Sequence, residues 1–363
     1  MRAFFKSFFA AGLAWVALLW LVPAAHQAHV FYQDGASAFE DYRMPQMCVA
    51  SAKTYEPDGL ARHDAPYPAL GYAVARAFPR DTLKGGMLFT AFSILVLLAG
   101  AWLLTRSGWA VAATVFMAPV LHAIGLGNQI VLTLGGVLVF LAWKDERGWK
   151  KSVAFLALAA ASALKILPAV FGLTLVKERR WRDCLALGFA GALLAFVPFA
   201  WFGGLEGLAA FVGNLHLHAD HYGPLSRFGF VPIDRSIRLL AGLPVSSIRA
   251  TFALDRVLNL GLVCLCLLTW WRTRCRAVEL LMLAAVAVCG SSVAQYYAGM
   301  YLLPAVLLWG RERPASGTEK LLFFLALCPL QFPWANGGVN ILMTDFCLLL
   351  LAGLSFFRCE RGS

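Results

Sequence analysis

Apolar runs of bilayer length, each closed by lysines and arginines, recur along this chain. A hydrocarbon core about 30 Å thick takes about 20 residues of helix to cross. No water is present there to satisfy backbone groups, so only helices or closed barrels can span it. The runs are Phe8–Ala25, Gly85–Thr105, Trp109–Ala123, Gln129–Trp143, Cys184–Phe202, Phe252–Trp271, Val278–Gly290, Gln295–Trp309, Lys320–Trp334 and Val339–Phe357. Their basic ends include Arg106, Lys144, Arg147, the patch from Lys177 to Arg182, Arg272, Arg274, Arg311, Arg313, Arg358 and Arg361. Loops rich in Lys and Arg stay in the cytoplasm. The pattern predicts an all-α, polytopic integral protein of the cell (inner) membrane, with both termini cytoplasmic. It has about 12 membrane helices at this spacing, in a single transmembrane domain covering residues 1–363.

Composition agrees. The chain is 60% hydrophobic and only 14% charged, against about 25% charged in soluble domains. The net charge of +11 would point to nucleic acid in a soluble protein. Here it is accounted for by the span ends, and no folded domain offers the basic face that nucleic acid requires. Of the nine cysteines, Cys184, Cys264, Cys266, Cys289, Cys328 and Cys347 sit in apolar runs as packing residues. Cys48 stands alone in an external loop, so no disulfide framework is expected.

The run Ser152–Val176 departs from this pattern. Lys150 and Lys151 precede it, and Lys177, Arg179, Arg180 and Arg182 follow it. Both ends therefore belong on the cytoplasmic side, which a single crossing cannot satisfy. Lys165 and Pro168 interrupt the run, and proline breaks helices. The expectation is a short broken pair, about 152–163 and 167–176, that enters the membrane and returns.

Two external segments remain, 26–83 and 203–251. The first contains the polar stretch Phe31–Tyr67, with Asp34, Glu40, Asp41, Glu56, Asp58 and Asp64. A carboxylate held at the membrane surface can take a proton from a hydroxyl that attacks a sugar. Asp34 and Asp41 are both candidates for that base. Lys165, at depth, is expected to face a cavity or a partner. Arg227 and Arg235 in the second segment are candidate phosphate contacts. His216-Leu217-His218-Ala219-Asp220-His221 has the form of a dinuclear hydrolase motif, but a segment between spans cannot build that fold. Its histidines, His218 and His221 first, read as a hydrogen-bonding substrate rim. A divalent cation at His216, His218 and Asp220 is the lesser reading, and no metal or other cofactor is expected. Asp345, in the last span, reads as a structural carboxylate near Asn340.

Several short segments, in order, resemble glycosyltransferase family 87, integral membrane enzymes of the GT-C type. Asp41-Tyr42 followed by Tyr55 is similar to the family's acidic-aromatic segment after the first span. Tyr67-Pro68 resembles its Tyr-Pro-Pro element, with Ala69 in place of the second proline. Gly127-Asn128-Gln129 resembles its outer turn. Ala163-Leu164-Lys165-Ile166-Leu167-Pro168, followed by Arg179-Arg180-Trp181-Arg182, resembles its Lys-x-x-Pro segment. Ser291 to Tyr297 resembles a late element whose Pro, Trp and His are all replaced here. The resemblance implies a GT-C fold and a mannosyl or related hexosyl transfer. The donor would be a polyprenyl-phosphate sugar and the acceptor a glycan or lipid on the external face. Asp41 fits the base position better than Asp34. Asn128, Gln129, Tyr67 and Tyr297 would line the substrate site, and Lys165 would meet the donor phosphate as a point charge. A single displacement with one base inverts the anomeric centre. The rivals are a secondary transporter using Lys165 and Asp345, and a non-catalytic membrane scaffold.

Overall fold

The structure is a computed structural model that describes Phe39, Asp41, Tyr42 and residues 67–115, 117–223, 228–231, 234, 237–238, 241–244, 248–291, 296–309 and 350. Every regular element among them is helical. In chain order they are α1 (Ala69–Arg76), α2 (Thr82–Thr105), α3 (Gly108–Val115), α4 (Ala118–Gly125), α5 (Ile130–Trp143), α6 (Trp149–Leu164), α7 (Leu173–Lys177), α8 (Trp181–Phe196), α9 (Gly204–Tyr222), α10 (Ile248–Arg272), α11 (Arg276–Cys289) and α12 (Leu303–Trp309). Stretches of 3-10 helix at Leu167–Gly172, Val197–Trp201 and Tyr296–Leu302 lead into α7, follow α8 and lead into α12.

Thr82–Thr105, Trp181–Trp201 and Ala253–Arg272 are long and apolar enough to cross a membrane. Ile130–Trp143, Leu167–Lys177 and Tyr297–Leu308 are shorter apolar helices. Of the further spans expected from the sequence, Phe8–Ala25, Lys320–Trp334 and, apart from Leu350, Val339–Phe357 lie outside the described residues. Two other expectations differ from the structure. The run Trp109–Ala123 forms two helices, α3 and α4, with the break just before Pro119. Its ring denies the helix an N–H and crowds the carbonyl four residues back. The segment 203–251 is not simply a loop, because it contains α9 and the start of α10.

The described residues form two compact units, one from those between 39 and 115 with 120–218, the other from those beyond 218 with Met117–Pro119. In the first unit α5 is the centre. It is apolar throughout, and Leu134, Val137, Leu138 and Phe140 are fully buried. α2 packs on one side of α5, α6 on another, and α8 packs on α6. Glycines set how closely these backbones approach. A Cβ on Gly100 would stand 2.7 Å from the Leu138 Cβ, and one on Gly135 would stand 2.8 Å from the Leu97 nitrogen. One on Gly136 would stand 2.7 Å from the Ala157 carbonyl oxygen. Small residues at such crossings are how membrane helices gain contact, since lipid offers no hydrophobic drive between them. Gly100→Val is therefore expected to cost about 1–3 kcal/mol through overpacking, seen as a lower melting temperature in detergent. Hydroxyls within these helices bond back to the preceding turn, as Ser93 does to the Phe89 oxygen at 2.8 Å and Thr105 to the Ala101 oxygen at 2.7 Å.

At one end of this unit a charge network ties four helix ends together. The buried Lys144, following α5, donates to Asp145 at 3.0 Å and to Glu178, which follows α7. Arg180 donates to Asp183 of α8 and to the Lys144 carbonyl, each at 2.7 Å. Lys151 of α6 pairs with Asp183 at 2.7 Å. The segment Trp149–Lys177 thus leaves this end and returns to it, with its break at Lys165.

α1 lies over a cluster of Ala69, Tyr72, Phe199, Phe202 and Phe211, with Tyr67, Leu208 and Leu215 packed against it. In the second unit α11 is buried along its length between α10 and α12. Asn259 of α10 accepts from the Phe230 N–H at 2.8 Å.

Candidate functional site

The site follows from hairpin arithmetic. α5 has 14 residues and α6 has 16, about 21 and 24 Å at 1.5 Å per residue. The turn from Lys144 to Gly148 joins them, with Gly148 at φ 62°. Two antiparallel helices of matched length bring the start of α5 beside the end of α6. The first is preceded by Asn128, the second is followed by Lys165. α6 stops at Lys165, which is extended at φ −147° and ψ 129°. Pro168 comes three residues later, at the start of the 3-10 turn, and opposes helix continuation at that point.

Asn128 is oriented by the helix it precedes. Its Oδ1 accepts the Ile130 N–H at 2.9 Å. Only an oxygen can accept there, so Nδ2 points away from the helix and donates to Asp41 Oδ2 at 2.6 Å. Asp41 reaches this amide because Phe39 and Asp41 dock on the turn before α5. The Phe39 N–H donates to the Gly125 oxygen at 3.1 Å and the Asp41 N–H to the Leu126 oxygen at 3.0 Å. Gly127 makes the docking possible twice over. Its φ of 64° lies in the left-handed region, and a Cβ there would stand 3.0 Å from the Tyr42 Cβ and 3.2 Å from the Phe39 ring. Phe39 itself is held at φ 59°, a cost of about 1–2 kcal/mol for a residue with a Cβ. Tyr42 anchors the segment from below. Its hydroxyl donates to the Pro79 oxygen at 2.7 Å, and its ring stacks 5.7 Å from Phe89. The Tyr67 hydroxyl donates to the Asp41 carbonyl at 3.3 Å.

The charges at this point oppose each other. Burial pushes the Asp41 carboxyl above its ordinary value of 3.8, while the nearby Lys165 ammonium and the Asn128 amide pull part of that shift back. Asp41 is thus a carboxylate with raised proton affinity, flanked by one cation and one oriented donor. Gln129 sits next to it in sequence. It is 3% exposed, its Nε2 donates to the Gly71 oxygen at 3.4 Å, and its Oε1 has no hydrogen-bond partner among the described residues. A buried, unpaired acceptor carries a desolvation cost of about 1–3 kcal/mol, which a hydroxyl from a ligand would relieve.

Of the residues singled out in the sequence, Asp41, Asn128, Gln129, Tyr67 and Lys165 all lie in the first unit. Asn128 and Tyr67 bond to Asp41, and the Lys165 charge reaches it. His218 is partly exposed on α9, and at helical spacing it faces away from the exposed His216. Asp220 is exposed and pairs with Arg256 at 3.4 Å. Tyr297, partly exposed, is the second residue of the 3-10 turn Tyr296–Leu302 in the second unit. Asp34, Arg227, Arg235, Asp345 and the His221 side chain lie outside the described residues, as does the 345 end of the transporter reading.

Two features escaped the sequence reading. The Tyr42 anchor was visible only as half of a motif. Asp255, in the second unit, is 3% exposed, and its Oδ2 has no hydrogen-bond partner among the described residues. Near it Arg238 donates to Asp234 at 2.7 Å. Its position inside the run Phe252–Trp271 was the available signal, since a carboxylate within a span is a functional candidate by default.

The family model of glycosyltransferase family 87 matches residues 65–294, well over half of the chain. No curated protein and no solved structure matches it.

Proposed function

The chain belongs to glycosyltransferase family 87 and is a membrane glycosyltransferase acting on a sugar donor and an acceptor; from that premise we propose that Asp41 is its general base and Lys165 its donor-phosphate contact. The donor in this reading is a polyprenyl-phosphate hexose, with mannose the first sugar to test. The acceptor is a hydroxyl of an external glycan or lipid. As the acceptor oxygen attacks the anomeric carbon, its proton passes to Asp41 Oδ1 or Oδ2. The bond from that carbon to the phosphate oxygen breaks on the opposite face, and the leaving polyprenyl phosphate takes the electron pair. The anomeric configuration inverts.

The observation that supports this most is the meeting of three groups from three parts of the chain. Asp41 from the first loop, Asn128 from the start of α5 and Lys165 from the end of α6 converge on one point. Each has a separate task. Asn128 keeps one carboxylate oxygen oriented with its 2.6 Å bond. The positive charge of Lys165 neutralises the phosphate as it leaves, the kind of prepared electrostatic contact that lowers barriers most. Raised proton affinity suits Asp41 to accept a proton rather than remain a spectator anion. The Lys165 charge reaches Asp41, and no specific observation favours transport.

The direct test is sugar transfer from a radiolabelled polyprenyl-phosphate hexose in membranes containing the protein. Absence of product with every hexose tried would sink the reading. Within it, Asn128→Ala has a defined signature. Loss of the Ile130 cap costs about 0.5–2 kcal/mol of stability. Loss of the amide bond removes one influence that lowers the Asp41 pKa, so the acidic limb of the pH–rate profile moves to higher pH. An unchanged limb would separate Asn128 from the base.

A further inference from the structure

We propose that Arg76, Arg80 and Lys84 form a docking surface for the phosphate of an anionic bilayer lipid, and that the docked lipid steadies the turn on which Tyr42 rests, next to Asp41. Its effect on activity rests on the reading of Asp41 as the base. All three cations are exposed. Arg76 closes α1, with its guanidinium 5.4 Å from the centre of the Phe202 ring. Arg80 lies in the turn to α2, and Lys84 is the third residue of α2. No carboxylate pairs with any of the three among the described residues. Asp81, the one acidic residue from 76 to 84, is taken up as the cap of α2 and accepts the Lys84 backbone N–H at 2.7 Å. The far end of the same unit is the reverse. There Lys144, Lys151 and Arg180 are each paired with a carboxylate. The charge at the Asp41 end is left for an anion from outside the chain.

The setting selects a lipid over a soluble anion. α2 is long and apolar enough to cross a membrane. Leu83, Met87 and Leu88, in its first two turns, are all more than half exposed, so side chains suited to hydrocarbon stand beside Lys84. Lysine lays its stem along such a surface and keeps its ammonium at the level of the headgroups. A lipid with an anionic head meets the charges and the apolar side chains together. The same stretch supports the site. The Tyr42 hydroxyl donates to the oxygen of Pro79 at 2.7 Å, and Arg80 is the next residue. Gly85 follows Lys84, and a Cβ there would collide with the Tyr42 hydroxyl, while one on Gly86 would stand 2.6 Å from the Phe39 ring. The turn and the first residues of α2 are therefore the floor under Phe39 and Tyr42. A phosphate held by Arg80 and Lys84 ties the two halves of that floor together.

The test uses the full chain in nanodiscs of phosphatidylcholine, with phosphatidylglycerol added in steps up to equal parts. Sugar transfer should quicken as phosphatidylglycerol rises. Each single change, Arg76→Gln, Arg80→Gln or Lys84→Gln, should raise the fraction needed for half of that gain by about fivefold, from the attraction of one basic side chain to an anionic surface. The triple variant should lose the gain while its kcat in phosphatidylcholine alone stays put. Arg80→Lys should behave as the parent. Arg106→Gln with Arg147→Gln and Arg182→Gln removes as many exposed cations from the far end and should keep the gain. In parallel, phosphatidylglycerol bearing a diazirine near its headgroup should label residues 76–88 of the parent and spare them in the triple variant. A rate indifferent to phosphatidylglycerol overturns the proposal, as does a triple variant that keeps the gain. So does an equal loss in the far-end variant, which would mark a general surface-charge effect, or the same gain from soluble glycerol phosphate. Labelling that misses 76–88, or persists there in the triple variant, also overturns it. If no lipid supports transfer, the reading of the reaction fails, and the photolabelling still decides the docking surface.

Discussion

Asp41→Asn is expected to lower kcat by about 10²–10⁴-fold without loss of fold. The removed carboxylate is bonded to Asn128 and lies within reach of the Lys165 charge. Asparagine keeps the size and can turn its carbonyl toward Asn128, but it cannot take a proton from an acceptor hydroxyl. Stability should move the other way. Burial is the largest influence on Asp41 and raises its pKa above 3.8, so the folded state holds a proton more tightly than the unfolded chain. Through the window from 3.8 up to that raised value, stability falls as pH rises. At neutral pH the native carboxylate is therefore a net cost that asparagine does not carry, and the variant should melt no lower than the parent. Activity in the parent should fall as pH drops through the same raised value, giving an acidic limb above pH 3.8 that the variant lacks. Transfer rates and melting curves across pH check both halves. An active, destabilised Asp41→Asn protein would refute the assignment.

Lys165→Met is the second large effect. Hydrogen bonds to charged groups contribute about 1.5–3 kcal/mol, so kcat/KM should fall by about 10–100-fold. The diagnostic is again the pH profile. The Lys165 charge lowers the Asp41 pKa against burial, and an uncharged side chain of similar length removes that pull. The acidic limb should move to higher pH in Lys165→Met and stay near its place in Lys165→Arg, which keeps the charge. A limb unmoved in both would show that the two groups act apart.

Much of this site could be read in the chain. The basic flanks of 152–176, with Lys165 and Pro168 between them, pointed to a returning pair, because charge location and proline chemistry are local properties. Asp41 and Asn128 could each be marked as candidates for the same reason. Their contact could not, since 87 residues separate them and the link depends on Phe39 and Asp41 docking on the turn before α5. Whether Asp34 or Asp41 docks on the turn depends on Gly127 leaving room for Phe39 and Tyr42, a packing fact. α9 was missed because its face is small and polar, with Gly204, Gly207, Gly213, His216 and Asp220. Only its burial of Leu208, Phe211 and Leu215 in the Tyr72 cluster marks it as part of the fold. The split between α3 and α4 was announced by Pro119 and overridden by the apolar run around it.

The returning segment also has a consequence for parity. An excursion that comes back to its starting side adds nothing to the tally of crossings. If Trp149–Lys177 is counted as one passage, every reporter fused beyond residue 177 is assigned to the wrong compartment. Fusions placed at Lys144–Gly148 and at Glu178–Arg180 should instead report the same side, a pair of readings that fixes the frame for the remainder of the polypeptide.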